Sequence, residues 1–332
     1  MGRLTVAVSL SLFVCLVVVT ASFAAGVQKY SIGSGAMGGG WQIGVGAAVQ
    51  MLNEQLRDKY SFTAAASGGS VENIRRMITG EYQTVWVHTT SLYDAWNGVG
   101  LFEGQKPFKD IRAVEKISDN SFSIVCLAKS PIRNFMDLAG KRVNFGPAGS
   151  GGVPIARAIF KTLGLTEKMK ISNINFQAAA QALKDGQMDV TINPGSPYVM
   201  PATVEIARSV QVRIIEPSPE EVKRIEAELP YLSLGVVPAD KAPGENSDRD
   251  RKAFFWCTYW VALKSLSDGV VYDMLKITQE PKNREILMKV SNLYETAGPE
   301  FEPLLKIGIP MHPGAVKFWK EQKAKLPAAL LK

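Results

Sequence analysis

Three times in this chain a short strand-like run breaks into a glycine-rich loop and resumes with helical spacing. The loops are Gly33 to Gly40, Ser67 to Ser70 and Gly146 to Gly152. A strand that turns through glycines into a helix is the unit of an α/β fold with largely parallel sheets, since a parallel partner needs a helical crossover. The units fall into two sets. In the first, Lys29 to Ile32, Ser61 to Ala66 and Thr84 to Val87 read as strands. Trp41 to Leu56 and Val71 to Thr79 read as the helices between them, and Gly80 is a helix stop. In the second, strands at Ser123 to Ala128, Arg142 to Phe145, Lys170 to Ile174 and Asp189 to Ile192 alternate with helices at Val153 to Leu163 and Ala178 to Lys184. Arg213 to Ile215 and Glu220 to Leu229 add a strand and a helix, Phe254 to Leu263 is a long strand, and the chain is mostly helical after Leu266. Two similar α/β lobes therefore share one chain, with no Gly/Ser linker between them. The polar loop Gly244 to Asp250 is where the chain can turn back towards the first lobe.

The N-terminus sets the compartment. Arg3 precedes an uncharged apolar run from Leu4 to Phe23, and Ser22-Phe23-Ala24-Ala25 offers the small residues of a signal-peptidase site. Residues 1–24 are expected to be a secretory signal peptide, with the mature chain starting near Ala25 and residing in the periplasm. An uncleaved membrane anchor is the other reading, because about 20 apolar residues span a bilayer; the small-residue exit favours cleavage. Export leaves Cys126 and Cys257 where disulfides can form, and both lie in strand-like runs. Two buried free thiols is the expectation, with a mutual disulfide as the alternative.

Composition narrows the function. The chain of 332 residues is 46% hydrophobic and 21% charged, which suits a folded protein with a sizeable core. Its net charge of +7 is spread along the chain without the blocks expected of a dedicated nucleic-acid binder. Two histidines, His88 and His312, and three cysteines supply little material for a multi-ligand metal centre. No cofactor is expected.

In open α/β sheets, ligands bind beyond the carboxyl ends of the strands, where the three loops lie. Each loop presents backbone N–H groups and small hydroxyls at a positive helix end, which favours an anion; the glycines also serve simply as tight turns. Gly33-Ser34-Gly35-Ala36-Met37-Gly38 matches the dinucleotide pattern, but the second strand ends Ala64-Ala65-Ala66-Ser67-Gly68 without the acidic residue that holds a ribose. The loop Gly146 to Gly152 lacks the Lys-Ser or Lys-Thr of a P-loop. Nucleotide binding is disfavoured at both. His88 closes the third strand and is expected to hydrogen-bond in the pocket; no Gly-x-Ser-x-Gly elbow accompanies it. His312 is expected in a turn before the last helix. Of the aromatics near strand ends, Trp41 is the best candidate for a pocket wall, because it directly follows Gly40.

Several segments together resemble the TAXI-type solute-binding proteins of tripartite ATP-independent periplasmic (TRAP) transporters. They are Gly33 to Trp41, Gly69-Ser70-Val71-Glu72-Asn73-Ile74, Leu138 to Gly151, Lys184 to Asp189 and Ile309 to Ala315. The resemblance implies a type II periplasmic-binding-protein fold, with lobes at 25–122 plus 259–332 and at 123–258, joined by crossover strands. It also implies a receptor, not an enzyme, that closes over a small organic anion, often a carboxylate, and delivers it to a TRAP-type membrane permease. By the same resemblance, Ser34, Gly35, Gly40, Trp41, Gly69, Ser70, Asn73 and the turn Gly149-Ser150-Gly151 shape or contact the ligand. His88, Thr89, Asn193 and Tyr198 are expected beside them, the last two in a loop that resembles the family's Gly-x-Pro pocket loop. Where the family usually carries Tyr, Gln-Ser-Asp and Thr, this chain has Trp41, His88-Thr89-Thr90 and Gly152. That changes the hydrogen-bonding inventory of the pocket and hence its ligand. Rival readings are an exported hydrolase using His88 with a nearby serine, and the same fold serving an ABC transporter or a sensor.

Overall fold

The structure, a computed structural model, describes residues 26–37, 39–147, 150–196, 198–245 and 247–331; the expected signal peptide and Gly149 lie outside the described residues. Ten strands form one sheet. They are β1 (Gln28–Gly33), β2 (Tyr60–Ala65), β3 (Thr84–His88), β4 (Ile111–Leu127), β5 (Arg142–Asn144), β6 (Lys170–Ser172), β7 (Val190–Gly195), β8 (Val212–Ile214), β9 (Ser233–Val237) and β10 (Arg251–Leu263). Their order is β2-β1-β3-β10-β4-β7-β5-β6, with β8 paired to β4 and β9 to β10. The triplets β2-β1-β3 and β7-β5-β6 are each parallel, and β4 and β10 run antiparallel to each other between them. The flanking helices among the described residues are α1 (Gly40–Leu56), α2 (Ser70–Ile78), α3 (Thr89–Asn97), α4 (Gly152–Thr162), α5 (Phe176–Lys184), α6 (Pro201–Ser209), α7 (Pro219–Glu228), α8 (Asp268–Thr278), α9 (Pro281–Val290), α10 (Glu302–Leu305) and α11 (Pro313–Glu321). None of them is long and apolar enough to cross a membrane.

Two large apolar cores sit along this sheet. One gathers residues from Ile32 to Ile117 and from Cys257 to Leu330, and the other runs from Phe122 to Trp256. The two long strands pass from one core to the other. At the change-over their buried side chains turn polar: Ser118, Asn120 and Ser121 on β4 lie near Thr258 on β10. A smaller third cluster, including Val125, Ile206 and Val212, packs beside the second core.

The alternation of strands and helices follows the glycine-punctuated pattern of the sequence, and Gly80, Gly164 and Gly186 each take the positive φ that ends a helix. Some elements differ. β4 begins at Ile111, twelve residues before the expected strand at Ser123, because Glu115 and Lys116 interrupt its apolar run. Both are buried with partners: Glu115 with Gln279, and Lys116 with Asp119 and Glu300. The helices α3 and α6 and strand β9 are additional, since their short segments lack a clear apolar period. Cys126 and Cys257 are buried and unbonded, as expected. His312 caps α11, as its turn position suggested: Nδ1 accepts from Gly314 N–H at 3.2 Å while Nε2 meets Leu266 O at 3.0 Å. A carbonyl partner requires the proton on Nε2.

Candidate binding site

The first two glycine loops are tied together by one network. Ser34 N–H and its hydroxyl both donate to Ala65 O, at 2.9 and 2.8 Å, and the hydroxyl also meets Gln42 Oε1. Ser67 Oγ donates to Ser34 O at 3.1 Å. Asn73, fully buried on α2, donates from Nδ2 to Ser34 O at 2.7 Å and to Trp86 O at 2.9 Å. One amide therefore fixes the end of β1 against β3. Gly33 makes this approach possible, since a Cβ there would lie 2.8 Å from Asn73 Oδ1 and 2.8 Å from Val85.

Beyond these strand ends lies a cleft in two adjoining parts, of about 390 and 350 Å³. Gly40, Trp41, His88, Ser150, Gly151 and Met200 line both. The first part is completed mainly by Asn120, the segment Pro194 to Ser196, Trp256 and Leu293, and the second by Gly35, Gly69, Ser70 and Phe176. All three glycine loops thus meet in one place. Aromatic rings cross it: Trp41 and Trp256 stand edge-on to His88, with centroids 4.7 and 5.8 Å away. Trp41 continues to Trp86 in the first core, and Trp256 to Phe122 in the second. Asn292 Nδ2 donates to Ser196 O at 3.1 Å, a direct bond between the two sides.

Among the described residues, none that lines either part carries a charged side chain. His88 does not supply one either, because burial pushes its imidazole down to about 3. The His88 backbone N–H donates to Ser70 Oγ at 3.1 Å, while the ring Nδ1 has no hydrogen-bond partner. Trp256 Nε1 is likewise unpartnered. Favourable potential for an anion comes instead from helix ends. The N-termini of α1 and α4, at Gly39 and Gly151, have no side-chain cap. The third helix end, of α2, is partly occupied. Glu72 in its first turn accepts Gly68 N–H at 2.7 Å and pairs with Arg76. The Gly68 bond and Arg76 hold that carboxyl below its ordinary range.

Of the residues expected from sequence, Gly35, Gly40, Trp41, Gly69, Ser70, His88, Ser150 and Gly151 line the cleft. Ser34, Asn73, Thr89, Asn193 and Tyr198 do not. Ser34 and Asn73 are the network behind the wall, and Thr89 is buried, with Oγ1 accepting Cys257 N–H at 3.3 Å. Asn193 is buried between Thr191 and Thr203, and the Tyr198 ring packs against Phe255. From the same loop, Pro194, Gly195 and Ser196 face the cleft. Trp256, Asn120, Asn292, Leu293, Met200 and Phe176 went unforeseen. Trp256 and Asn120 lie on the long strands, and Asn292 and Leu293 arrive from far along the chain.

No charge relay is assembled at His88, since no carboxylate lines the cleft with it. The geometry suits holding a solute between two walls. Residues 32–322 match the NMT1-like family. The chain belongs to that family. Its sheet order and paired long strands make a type II periplasmic binding-protein fold. Among solved structures, it is similar to XAC2383 from Xanthomonas citri bound to ATP, at 9% identity over 88% of this chain and 98% of that one, with a TM-score of 0.54. It is also similar to the periplasmic aliphatic sulphonate binding protein SsuA from Escherichia coli, at 12% identity over 91% and 95% of the two chains, with a TM-score of 0.47. A TctC solute binding protein from Polaromonas gives 17% identity over 81% and 90%, with a TM-score of 0.47. At 9% identity the likeness to XAC2383 concerns the fold alone.

Proposed function

We propose that this NMT1-like protein is an exported solute receptor that binds a small organic anion, without changing it, and passes it to a membrane permease. One observation carries the reading: the uncapped end of α1 and the start of α4, where Ser150 Oγ accepts Gly152 N–H at 3.3 Å, meet across a cleft that also holds Trp41 and Trp256 and, among the described residues, no charged side chain. Backbone N–H groups would fix the anionic end, assisted by Ser70 and Ser150, and each helix end contributes about 0.3 to 1 kcal/mol, or up to about 2 when partly buried. The lobes 25–122 plus 259–332 and 123–258 would close on the solute by bending where β4 and β10 exchange cores. The TAXI-like segments of the sequence favour a TRAP-type permease as partner, and the apolar N-terminal run favours periplasmic residence.

Purification without denaturation, followed by native mass spectrometry, tests the receptor reading. The expected result is one bound solute, recovered chemically unchanged, that raises the melting temperature on re-addition. At 100 times its dissociation constant it adds about 2.7 kcal/mol of stability. Conversion of the solute by the purified protein would overturn the reading. Solute uptake by vesicles that requires both this protein and a TRAP-type permease tests the choice of transporter.

A further inference from the structure

We propose that the solute carries a single negative charge on a flat, apolar, ring-sized body, and that this cleft discriminates against dicarboxylates and zwitterionic amino acids. The inference deepens the receptor reading and rests on it. With one carboxylate shared between the two helix ends, a second needs a Lys or Arg in the cleft, and an ammonium needs an Asp or Glu. Neither part of the cleft is lined by any of the four. Gly38, Ala148, Gly149 and Pro197, which belong to the same loops, carry no charge by identity. The nearby charged groups have partners already. Lys116 is bound by Asp119 and Glu300, and Glu72 by Gly68 N–H and Arg76. A second charge on the solute would be desolvated on closure without compensation, which disfavours it strongly against an apolar group of the same size.

The walls define the rest of the solute. Trp41 and Trp256 offer ring faces or edges within one chamber, and Val199, Met200, Pro194 and Leu293 complete an apolar surface. Flat aromatic bodies pair with indoles in offset or edge-on arrangements. Trp256 Nε1 and His88 Nδ1 are buried polar atoms of this lining without protein partners. The two-part cleft also separates the roles: the second chamber is built largely from the first two glycine loops, and the first chamber holds Trp256.

Calorimetric titration of the purified protein with phenylacetate, indole-3-acetate, glutarate and phenylalanine, in a buffer without organic anions, tests this. At least one aryl monoanion is expected to bind at least tenfold more tightly than glutarate or phenylalanine. Trp41→Ala should weaken that binding at least tenfold, and Trp41→Phe should retain most of it. Glutarate or phenylalanine matching the aryl monoanions would overturn the inference and leave the receptor reading standing. Failure of both aryl monoanions to bind at millimolar concentration would overturn it too. The receptor reading then still depends on the unchanged solute recovered from the protein. Undiminished binding by Trp41→Ala would remove the aromatic wall from the argument.

Discussion

The two sides of the cleft are built differently. On the side of the first core, the wall is held from behind: Asn73, Ser34 and Ser67 form a buried network that ties the ends of β1, β2 and β3. On the opposite side, the wall is loop backbone. Ser150 N–H turns back on Pro147 O at 2.8 Å, Ser196 Oγ donates to Asp119 O at 3.0 Å, and Ser121 Oγ donates to Tyr198 O at 2.8 Å. With more buried side-chain bonds behind it, the first wall is expected to act as the fixed template and the second as the adjustable one. For a closing receptor this asymmetry is useful, because one preorganised wall lowers the ordering cost that binding must overcome.

The largest expected effect comes from breaking the template. Asn73→Ala removes the amide donor shared by the buried carbonyls of Ser34 and Trp86, leaving Ser34 O with Ser67 Oγ alone, and should cost about 2 to 4 kcal/mol of stability. Ser196→Ala on the other wall should cost about 0.5 to 1 kcal/mol. Chemical denaturation of both variants measures the contrast, and similar losses would mean that the walls are equally rigid. Next comes the gap between the walls. A Cβ on Gly151 would stand 2.7 Å from His88 Nδ1, which is closer than real Cβ atoms come. Gly151→Ala should therefore weaken binding of the recovered solute at least tenfold, about 1.4 kcal/mol. Its melting temperature without solute should barely change, since the second wall can retreat. A collapse in stability instead would show that this wall is fixed as well.

Some carboxyl groups beside the two cores are shifted in opposite directions, and pH sharpens that contrast. In the first, burial pushes Glu115 up to about 8 and Asp94 up to about 6. Such raised groups give stability that is complete below the unfolded value and lost as pH rises through the folded one. In the second, Arg142 lowers Asp189, and Glu216 is lowered by Arg249 and Lys252 N–H although its burial acts the other way. Those contribute above the unfolded value and lose their contribution as acid protonates them. Glu115→Gln keeps the shape and removes the titration. Wild type should lose on the order of 1 kcal/mol relative to this variant between pH 5 and 9. Parallel pH profiles of the two proteins would show that Glu115 does not titrate in this range.

Much of this architecture is legible in the sequence for a simple reason. Glycine-rich turns mark where strands become helices, and apolar period distinguishes the two, so the three loops and their convergence follow from topology. The facing of individual side chains is less accessible. Along a strand, successive residues point to opposite sides, and an error of one position exchanges core for cleft. Asn193 is buried while Pro194 faces the cleft, and on β3 Val87 is buried while His88 lines it. Trp256 was illegible for another reason. Its segment, Phe254-Phe255-Trp256-Cys257, reads as a continuous core strand, and only the passage of β10 from one core to the other places that indole at the boundary.

The smallest effect concerns a polar bond that joins the walls directly. Asn292, just after α9, donates to Ser196 O on the adjustable wall at 3.1 Å, and the donor is exposed, so water can replace it. Asn292→Ala should lower the stability of the unliganded protein by about 0.5 kcal/mol or less. Its effect on binding should fall on the dissociation rate, because the bond forms only once the walls have met and so holds a closed state without guiding solute entry. Stopped-flow measurements with the recovered solute should show dissociation about two- to threefold faster and association unchanged. Slower association with unchanged dissociation would mean that Asn292 acts on the open protein, and the template wall would then reach further along the chain than its buried network suggests.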